Sequence, residues 1–449
     1  MSAELSSPTS STTIGQGTYG CLHRPSLKCS PADKNTPQNI NYEKKVSKIM
    51  HADYAEDEYA EYEKLEKLDP KGEYFLKMPI KCKPDASEYN INSIKECKDT
   101  VSLTEFMIHP KAYSLLVMED GGMDFHEYIQ FYHPIMKLDK LEKLLIEFHN
   151  VFLGIKLLID NNIIHNDLKM NNLLINTKTG KITIIDFGYA TNKNDAIKWC
   201  KKSQFGKANK FYCTHPFEMV FTNKKMFSLA QKNIKNKQYD FFKKLFNDKQ
   251  VKDFFAYIRN KEDIQKIKRE WNYYILNNFL KKRSDGKMQE FYSKFLEKHF
   301  NTYDIYSLGI VCFYLLQKCG KRLLNPSVFN SFYNIFYNMI TPNLNDRFEI
   351  DELIAKYAHT LYTTGLLQKH GDPYNKVKLE NTTQDFERLI NATKAPPKEV
   401  TKTNKINLNS TPPAAAKTAK KINMKNNKLY SLLLSGSGGS GLRKTSKQK

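Results

Sequence analysis

Residues 163–188 read IIHNDLKMNNLLINTKTGKITIIDFG, and this stretch decides the fold. Two short apolar runs flank a Lys/Gly turn, a pattern that predicts a strand-turn-strand hairpin. Polar residues stand at both ends of the hairpin. Asp167, Lys169 and Asn172 come just before the first strand, and Asp186 directly follows the second. The alternative is that these side chains only cap turns.

A glycine-rich turn near the start of the chain is the second informative motif. Residues 14–21 read IGQGTYGC, with Gly15, Gly17 and Gly20 spaced as G-x-G-x-x-G. Glycines let the backbone approach phosphates, and successive N–H groups then bind the anion. A dinucleotide-binding turn would open into a helix. Residues 21–25 are a poor helix start because they end in proline, so we predict a strand-loop-strand hairpin.

Three further motifs follow in order: THPFE at 214–218, YDIYSLG at 303–309 and NDRF at 345–348. Together with H-x-D-L-K-x-x-N and D-F-G, they resemble the motifs of eukaryotic-type Ser/Thr protein kinases, in that family's order. The resemblance covers residues 14–354, and the lysine two residues after Asp167 is the Ser/Thr form.

The resemblance implies an α+β, two-lobed protein-kinase fold. A small N-terminal antiparallel β lobe with one helix would precede a larger, mostly α C-terminal lobe carrying a helical insertion. The expected segments are a disordered N-terminus (1–12), an N-lobe (13–118), a C-lobe (119–395) with a basic insertion (219–300), and a disordered basic tail (396–449).

The resemblance also implies an enzyme that transfers the γ-phosphate of ATP to Ser or Thr hydroxyls of proteins, with Mg²⁺ as a cofactor. Asp167 would orient the attacking hydroxyl and accept its proton, and Lys169 would stabilise the transferred group. Asn172 and Asp186 would hold Mg²⁺. The residues expected around ATP are Ile14, Gly15, Gln16, Gly17, Thr18, Tyr19, Gly20, Lys48, Glu61, Met118, Glu119, Gly121 and Asp124.

Two of these assignments have alternatives. Lys48 lies on a predicted strand and is the candidate for gripping the phosphates, with Lys44 and Lys45 as solvated alternatives. An acidic helix follows and ends before a Leu-Asp-Pro stop. Counting back from that stop makes Glu61 the expected partner of Lys48, and Glu58 the second choice.

Other elements follow from periodicity. Apolar spacing predicts a long amphipathic helix over residues 140–161, and residues 52–68 form the acidic helix. Residues 115–122 are predicted as a buried strand that ends in a flexible link between lobes. Glu218 and Arg347 are expected to form a buried ion pair, and Asp304 is expected to brace the catalytic-loop backbone.

Two departures from the family pattern stand out. Asn166 replaces the arginine that usually binds a phosphate on the activation segment, so activation by phosphorylation there is less expected. Residues 219–300 replace a short link and show amphipathic helical patterns that lead up to the central helix, which is expected to start at Tyr303.

The net charge of +22 comes entirely from two segments. Residues 219–300 hold 20 Lys and Arg against 9 Asp and Glu, and residues 396–449 hold 12 against 1. Basic additions of this kind suggest contact with a polyanion, either nucleic acid or an acidic protein. A solvated charge run is the alternative. The sequence does not indicate the oligomeric state.

Eight cysteines lack C-x-x-C spacing, so neither a zinc site nor a disulfide framework is predicted, and reduced thiols in cytosol or nucleus are expected. No signal peptide is visible, and no apolar run reaches the ~20 residues needed to span a bilayer. The Asn, Lys and Ile bias suggests an AT-rich genome. In this respect the chain resembles kinases of large cytoplasmic DNA viruses, which act in host cytoplasm or virion.

Three other functions stay open. The first is a pseudokinase scaffold whose insertion and tail bind partners. The second is a basic virion protein that binds nucleic acid. The third is a small-molecule kinase, although those enzymes usually lack the glycine-rich loop, the P-x-E motif and its late arginine.

Overall fold

The computed structural model describes residues 10–371, except for 18, 34–35, 98–99, 204–213, 236–257, 259 and 280–283. The predictions for the tail and for Thr18 lie outside these residues. Of the N-terminal segment predicted as disordered, residues 1–9 also lie outside, whereas Ser11 is buried and Thr12 begins a strand.

The chain divides into two compact units. The first comprises Met1–Pro134 and Met170–Ala190, and the second comprises Ile135–Lys169 and Thr191–Lys449. The strands are β1 (Thr12–Gln16), β2 (Gly20–Arg24), β3 (Lys45–His51), β4 (Ile80–Cys82), β5 (Tyr113–Glu119), β6 (Met123–Asp124), β7 (Ile163–Ile164), β8 (Leu173–Ile175), β9 (Ile182–Ile184) and β10 (Thr191–Asn192). The α-helices are α1 (Ala52–Leu68), α2 (Glu88–Ile94), α3 (Leu103–Ile108), α4 (Phe125–Tyr132), α5 (Leu138–Asp160), α6 (Lys193–Lys201), α7 (Lys224–Lys235), α8 (Lys261–Phe279), α9 (Asp285–Leu315), α10 (Lys321–Leu323), α11 (Pro326–Ile340), α12 (Ile350–Thr363) and α13 (Leu366–His370).

An antiparallel sheet in the order β1-β2-β3-β5-β4 forms the core of the first unit. The first six residues of β5 are buried because the strand is apolar almost throughout and lies inside the sheet. In the pairing of β3 with β5, Lys48 lies opposite Leu116. The predicted N-terminal antiparallel sheet, followed by a mostly helical part, is confirmed.

Helix α1 occupies the predicted segment and is ended by Asp69. The backbone N–H of Asp69 donates to Leu65 O at 2.8 Å. Its buried carboxylate accepts the N–H groups of residues 73–75 at 2.7–2.9 Å. One side chain therefore closes the turn that follows the helix.

Two short helices of the first unit, α2 and α3, were not predicted. Each begins at a serine whose hydroxyl accepts a backbone N–H of the first turn: Ser87 from Asn90 and Ser102 from Glu105. Such N-caps stabilise helices too short for strong periodicity. The link between the two helices carries Glu96 and Cys97, which contact the glycine-rich hairpin as described below.

The cysteine prediction is wrong. Disulfide bonds join Cys21 to Cys97 and Cys29 to Cys82, all within the first unit. The four cysteines are far apart in sequence, and each bond connects the sheet region to the polypeptide on either side of α2. Spacing along the chain gives no signal for such pairs because their partners are chosen by the fold.

The second unit is built around α5, which begins two residues before the predicted start and buries one full face. Helix α9 corrects the prediction that the central helix starts at Tyr303. It is one continuous element of 31 residues that already begins at Asp285, inside the basic insertion. The insertion is otherwise helical at α7 and α8, as its amphipathic pattern predicts.

No helix in the described part of the chain is long and apolar enough to cross a membrane.

Candidate active site

The first unit encloses a cavity of about 810 Å³ whose lining residues all belong to that unit. This volume suits a small-molecule ligand or cofactor. Its apolar lining includes Leu22, Val46, Leu76, Met118, Leu174 and Ile184. The residues predicted around ATP that line it are Ile14, Gly15, Gln16, Gly17, Tyr19, Lys48, Glu61, Met118, Glu119, Gly121 and Asp124. Gly20 is not among the lining residues.

The glycine-rich motif forms the predicted hairpin of β1 and β2. Gly17 N donates to Gly20 O at 2.9 Å and closes the turn. A Cβ on Gly20 would lie 2.9 Å from Ile49 O of β3, closer than Cβ atoms come to other heavy atoms in proteins. Glycine at this position therefore lets β2 pair tightly with β3 beneath the hairpin.

Glu96 holds the other strand of the hairpin. Its carboxylate Oε2 accepts Thr13 N at 3.1 Å, and its carbonyl accepts Gln16 Nε2 at 2.8 Å. The neighbouring Cys97 is bonded to Cys21 in β2. Residues 96–97 thus contact both strands of the hairpin, a role that no local motif signals.

The lysine on β3 is paired with an acid of α1, but not with the one predicted. Lys48 Nζ lies 2.5 Å from Glu58 Oε2, so the expected pairing with Glu61 is wrong. Because α1 begins directly after β3, Glu58 lies closer along the chain to the strand that carries Lys48 than Glu61 does. Glu61 comes three residues later, about 4.5 Å further along the helix axis.

Glu61 nevertheless lines the same cavity. Burial raises its pKa, and the negative charges of Glu58 and Asp186 raise it further. Glu58, Glu61 and Asp186 are three of the acids that line the cavity, and of these three only Glu58 forms an ion pair with Lys48. The excess negative charge would favour a cation near Asp186.

The predicted link after β5 is held by an arginine that sequence reasoning missed. Arg24 Nη2 donates to Asp120 Oδ1 and to Gly122 O, both at 2.6 Å. Gly122 has φ +103°, and a Cβ there would lie 2.0 Å from Ile175 O, so only glycine fits. Arg24 ends β2, so the glycine-rich hairpin and the link are tied together.

Asn172 and Asp186, the predicted Mg²⁺ ligands, both line the cavity. The two segments are joined by a bond from Ile185 N to Asn172 O at 3.0 Å. Asp186 lies two residues after the end of β9 and has φ 66°, a left-handed conformation that turns the chain sharply. Carboxylate and amide oxygens facing one cavity are the hard ligands that Mg²⁺ prefers, so these residues fit the ion.

The predicted catalytic residues Asp167 and Lys169 belong to the second unit, where Lys169 Nζ lies 2.6 Å from Asp167 Oδ2. Asp304 braces this loop, since its carboxylate accepts His165 N at 2.7 Å and Asn166 N at 3.1 Å. Burial raises the pKa of Asp304, and the two N–H groups oppose that rise.

Asn166 has φ 65°, a conformation that asparagine tolerates better than most residues. This offers a physical reason for asparagine at the position where the resemblance expects arginine. The side chain is compatible with the backbone turn that presents Asp167.

A buried charged cluster holds Glu218, which ends the motif at residues 214–218. Arg347 Nη1 lies 2.6 Å from Glu218 Oε1, and His299 Nδ1 lies 3.2 Å from the same oxygen. Burial alone would raise the pKa of Glu218, but Arg347 and His299 together lower it to about 2. Burial lowers the pKa of His299, although the Glu218 carboxylate opposes this shift. Sequence reasoning paired Glu218 with Arg347 but missed His299.

His215 was also missed as a neighbour of the catalytic loop. It is 7% exposed, and burial lowers its pKa to about 4 despite the opposing charge of Asp167. Ser307 Oγ donates to the carbonyl of the adjacent Thr214 at 2.8 Å, which fixes this part of the segment on α9. Residues 204–213 lie outside the described residues.

Residues 77–218 match the family model of the protein kinase domain. This match supports a member of the protein kinase superfamily. It covers about a third of the chain, including the catalytic-loop motif, the D-F-G motif and Glu218. The glycine-rich hairpin, Lys48, Asp304 and Arg347 lie outside the matched kinase segment. No curated protein matches the chain significantly. The kinase-domain match supports a phosphotransferase activity in general.

Proposed function

We propose that this protein is an ATP-dependent Ser/Thr protein kinase. The observation that carries the proposal is the composition of the cavity in the first unit. The glycine-rich hairpin, the Lys48–Glu58 pair, Asn172 and Asp186 line one space of about 810 Å³, and the kinase-domain match includes the last two residues. Lys169 two residues after Asp167 supports the preference for Ser and Thr.

In the proposed mechanism, ATP binds beneath the β1–β2 hairpin. Lys48, oriented by Glu58, contacts the phosphates, and the apolar lining around Met118 receives the adenine. Asn172 and Asp186 would hold Mg²⁺, which offsets phosphate charge when bound. Asp167 orients the Ser or Thr hydroxyl and accepts its proton. Lys169 stabilises charge that develops on the transferred group.

The test is transfer of labelled γ-phosphate from Mg-ATP to a panel of basic and acidic proteins, followed by phosphoamino-acid analysis. Wild type should produce phosphoserine or phosphothreonine. Asp167→Asn should lower the rate by about 10²–10⁴-fold, and Asp186→Asn should abolish transfer. Asp195→Asn removes an exposed carboxylate from α6 and serves as the matched control.

The outcomes separate the alternatives. Nucleotide binding without transfer would favour the pseudokinase scaffold, and transfer to small molecules but not to proteins would favour a small-molecule kinase. Phosphotyrosine as the only product would contradict the Ser/Thr assignment.

We further propose, from charge alone, that the basic insertion and tail contact a polyanion. Binding to arbitrary nucleic acid that weakens steeply with salt would support this. The setting proposed from the sequence resemblance is a large cytoplasmic DNA virus, with activity in the host cytoplasm. Immunolocalisation during infection would test it.

A further inference from the structure

Three buried side chains with metal-binding atoms meet in the first unit, away from the lining of the large cavity. They are Cys21, His23 and Cys97, with exposures of 0%, 0% and 3%. Their two sulfurs and an imidazole nitrogen lie within 4.8 Å of one another. Within the described part of the chain, no other three His, Cys, Asp or Glu side chains meet this closely.

The backbone directs these atoms toward one point. Cys21 and His23 are two residues apart on β2, so their side chains lie on the same face of the sheet. Cys97 reaches that face from the link after α2. His23 Nε2 lies 3.1 Å from Cys97 Sγ. His23 Nδ1 is buried and has no hydrogen-bond partner among the described residues. The imidazole nitrogen that faces the sulfurs, and would bind a metal there, is therefore Nε2.

The second disulfide provides an internal comparison. Cys29 and Cys82 are also buried and bonded, but no His, Asp or Glu joins them in a group of three among the described residues. The histidine is therefore specific to the Cys21–Cys97 pair. A disulfide that serves only as a cross-link has no need of an imidazole nitrogen beside its sulfur.

We propose that the Cys21–Cys97 pair, once reduced, binds one thiophilic d¹⁰ cation, Zn²⁺ or Cu⁺, together with His23. A dithiol reductant transfers two electrons and two protons to the disulfide, giving two thiols and an oxidised reductant. Metal binding then displaces the two thiol protons. Thiolate sulfur and imidazole nitrogen are the ligands that these cations select.

Charge favours Zn²⁺ in particular. Two thiolates and a neutral imidazole around a dication leave the site uncharged, which suits an interior of apolar side chains. The surrounding core includes Leu27, Ile49 and Leu115, all fully buried. Three protein ligands complete a trigonal site for Cu⁺ and leave one open position on Zn²⁺.

The proposed metal site joins the glycine-rich hairpin to the link that follows α2. Cys21 directly follows Gly20, and Cys97 directly follows Glu96, which holds Thr13 and Gln16. Either a disulfide or a bound metal joins Cys21 to Cys97, whereas with two free thiols residues 96–97 hold the hairpin only through the two Glu96 hydrogen bonds. The redox state and metal supply therefore set how firmly the hairpin is held.

The experiment measures metal on the full chain and does not depend on kinase activity. Protein reduced with a phosphine and freed of metal is loaded with Zn²⁺ or, anaerobically, with Cu⁺, then desalted and assayed for metal per chain. Co²⁺ absorption reports thiolate coordination. The variants are Cys97→Ser, His23→Phe, and the double variant Cys29→Ser with Cys82→Ser. Circular dichroism checks folding of each.

Wild type should retain one ion per chain only after reduction. Cys97→Ser should retain none, and His23→Phe should bind about tenfold or more weakly, a loss typical of a damaged metal site. The Cys29/Cys82 double variant should bind as wild type does. The proposal is overturned if reduced, folded wild type binds neither ion, if the double variant loses binding, or if His23→Phe binds normally. Unfolding of the wild type on reduction, with no metal retained, would overturn it as well.

Discussion

Arg347 meets Glu218 through two nitrogen–oxygen contacts, at 2.6 and 3.2 Å, and neither side chain is exposed to solvent. Two further hydrogen bonds, from Arg347 Nη2 and Nε to Thr341 O at 2.9 and 3.1 Å, use a second edge of the guanidinium. Because the charges compensate each other and the donors are satisfied, the pair is stable as a unit and costly to split.

Splitting this pair should destabilise the protein strongly. Arg347→Met leaves Glu218 charged and buried, and Glu218→Gln leaves the arginine unpaired, so each should lower the free energy of unfolding by about 3–5 kcal/mol. The double variant should lose less than the sum of the two. Urea denaturation of all four proteins gives the coupling energy, and additive losses would contradict the pairing.

The partner of Lys48 can be tested by changing one acid at a time. Glu58→Gln should raise KM for ATP and lower kcat, because the lysine loses the carboxylate that orients it at 2.5 Å. Glu61→Gln is the matched control three residues away, and it should affect the lysine's role less. Steady-state kinetics at saturating Mg²⁺ distinguish the two. A larger effect of Glu61→Gln would restore the pairing predicted from sequence.

The brace on the catalytic loop should show in kcat rather than in nucleotide affinity. Asp304→Asn replaces an acceptor of two backbone N–H groups by an amide that can satisfy only one. A displaced Asp167 should lower kcat on the order of 10–100-fold. KM for ATP should change little, since the cavity lies in the other unit. Equal losses in nucleotide binding would contradict this separation.

His215 should make stability depend on pH. Its pKa falls from 6.5 to about 4 on folding, so between these values the unfolded chain binds a proton that the native protein does not. Stability should therefore be lost as pH falls from 6.5 toward 4, by about 3 kcal/mol at most. Below pH 4 this loss should level off.

The matched variant is His215→Gln, which keeps a polar side chain of similar size without the titration. Denaturation from pH 7.5 to 4 should show a shallower decline in His215→Gln than in wild type. The pKa of His299 shifts in the same direction, and because this residue remains in both proteins, both curves should still decline. Parallel curves would contradict the assignment to His215.

Local sequence patterns predicted those helices and strands whose ends are determined by residues close to them in the sequence. The helix predicted at about residues 52–68 is α1, which an acidic run and a Leu-Asp-Pro stop mark in the sequence. The hairpin of residues 163–188 was predicted from its alternating runs and turn. Helix α5 differed by two residues at its start, where Lys137 precedes it without a side-chain cap.

The errors lie where two distant segments decide the outcome. Whether Lys48 pairs with Glu58 or with Glu61 depends on the direction in which α1 continues from β3. Counting residues back from the end of the helix does not reveal this direction. The disulfides join residues 76 and 53 positions apart. Arg24, Glu96 and His299 make their contacts through tertiary structure, so a single sequence carries no periodic or motif signal for them.

The continuity of α9 has a mechanical consequence. Asp304, which positions the catalytic loop, lies 19 residues after Asp285, where the helix starts inside the insertion. This is a separation of about 28 Å along the helix axis. The described helix has no break between these points at which rotation could be absorbed. A molecule that binds the first turns of α9 and rotates them must therefore either bend this helix or move the Asp304 carboxylate that holds the catalytic loop.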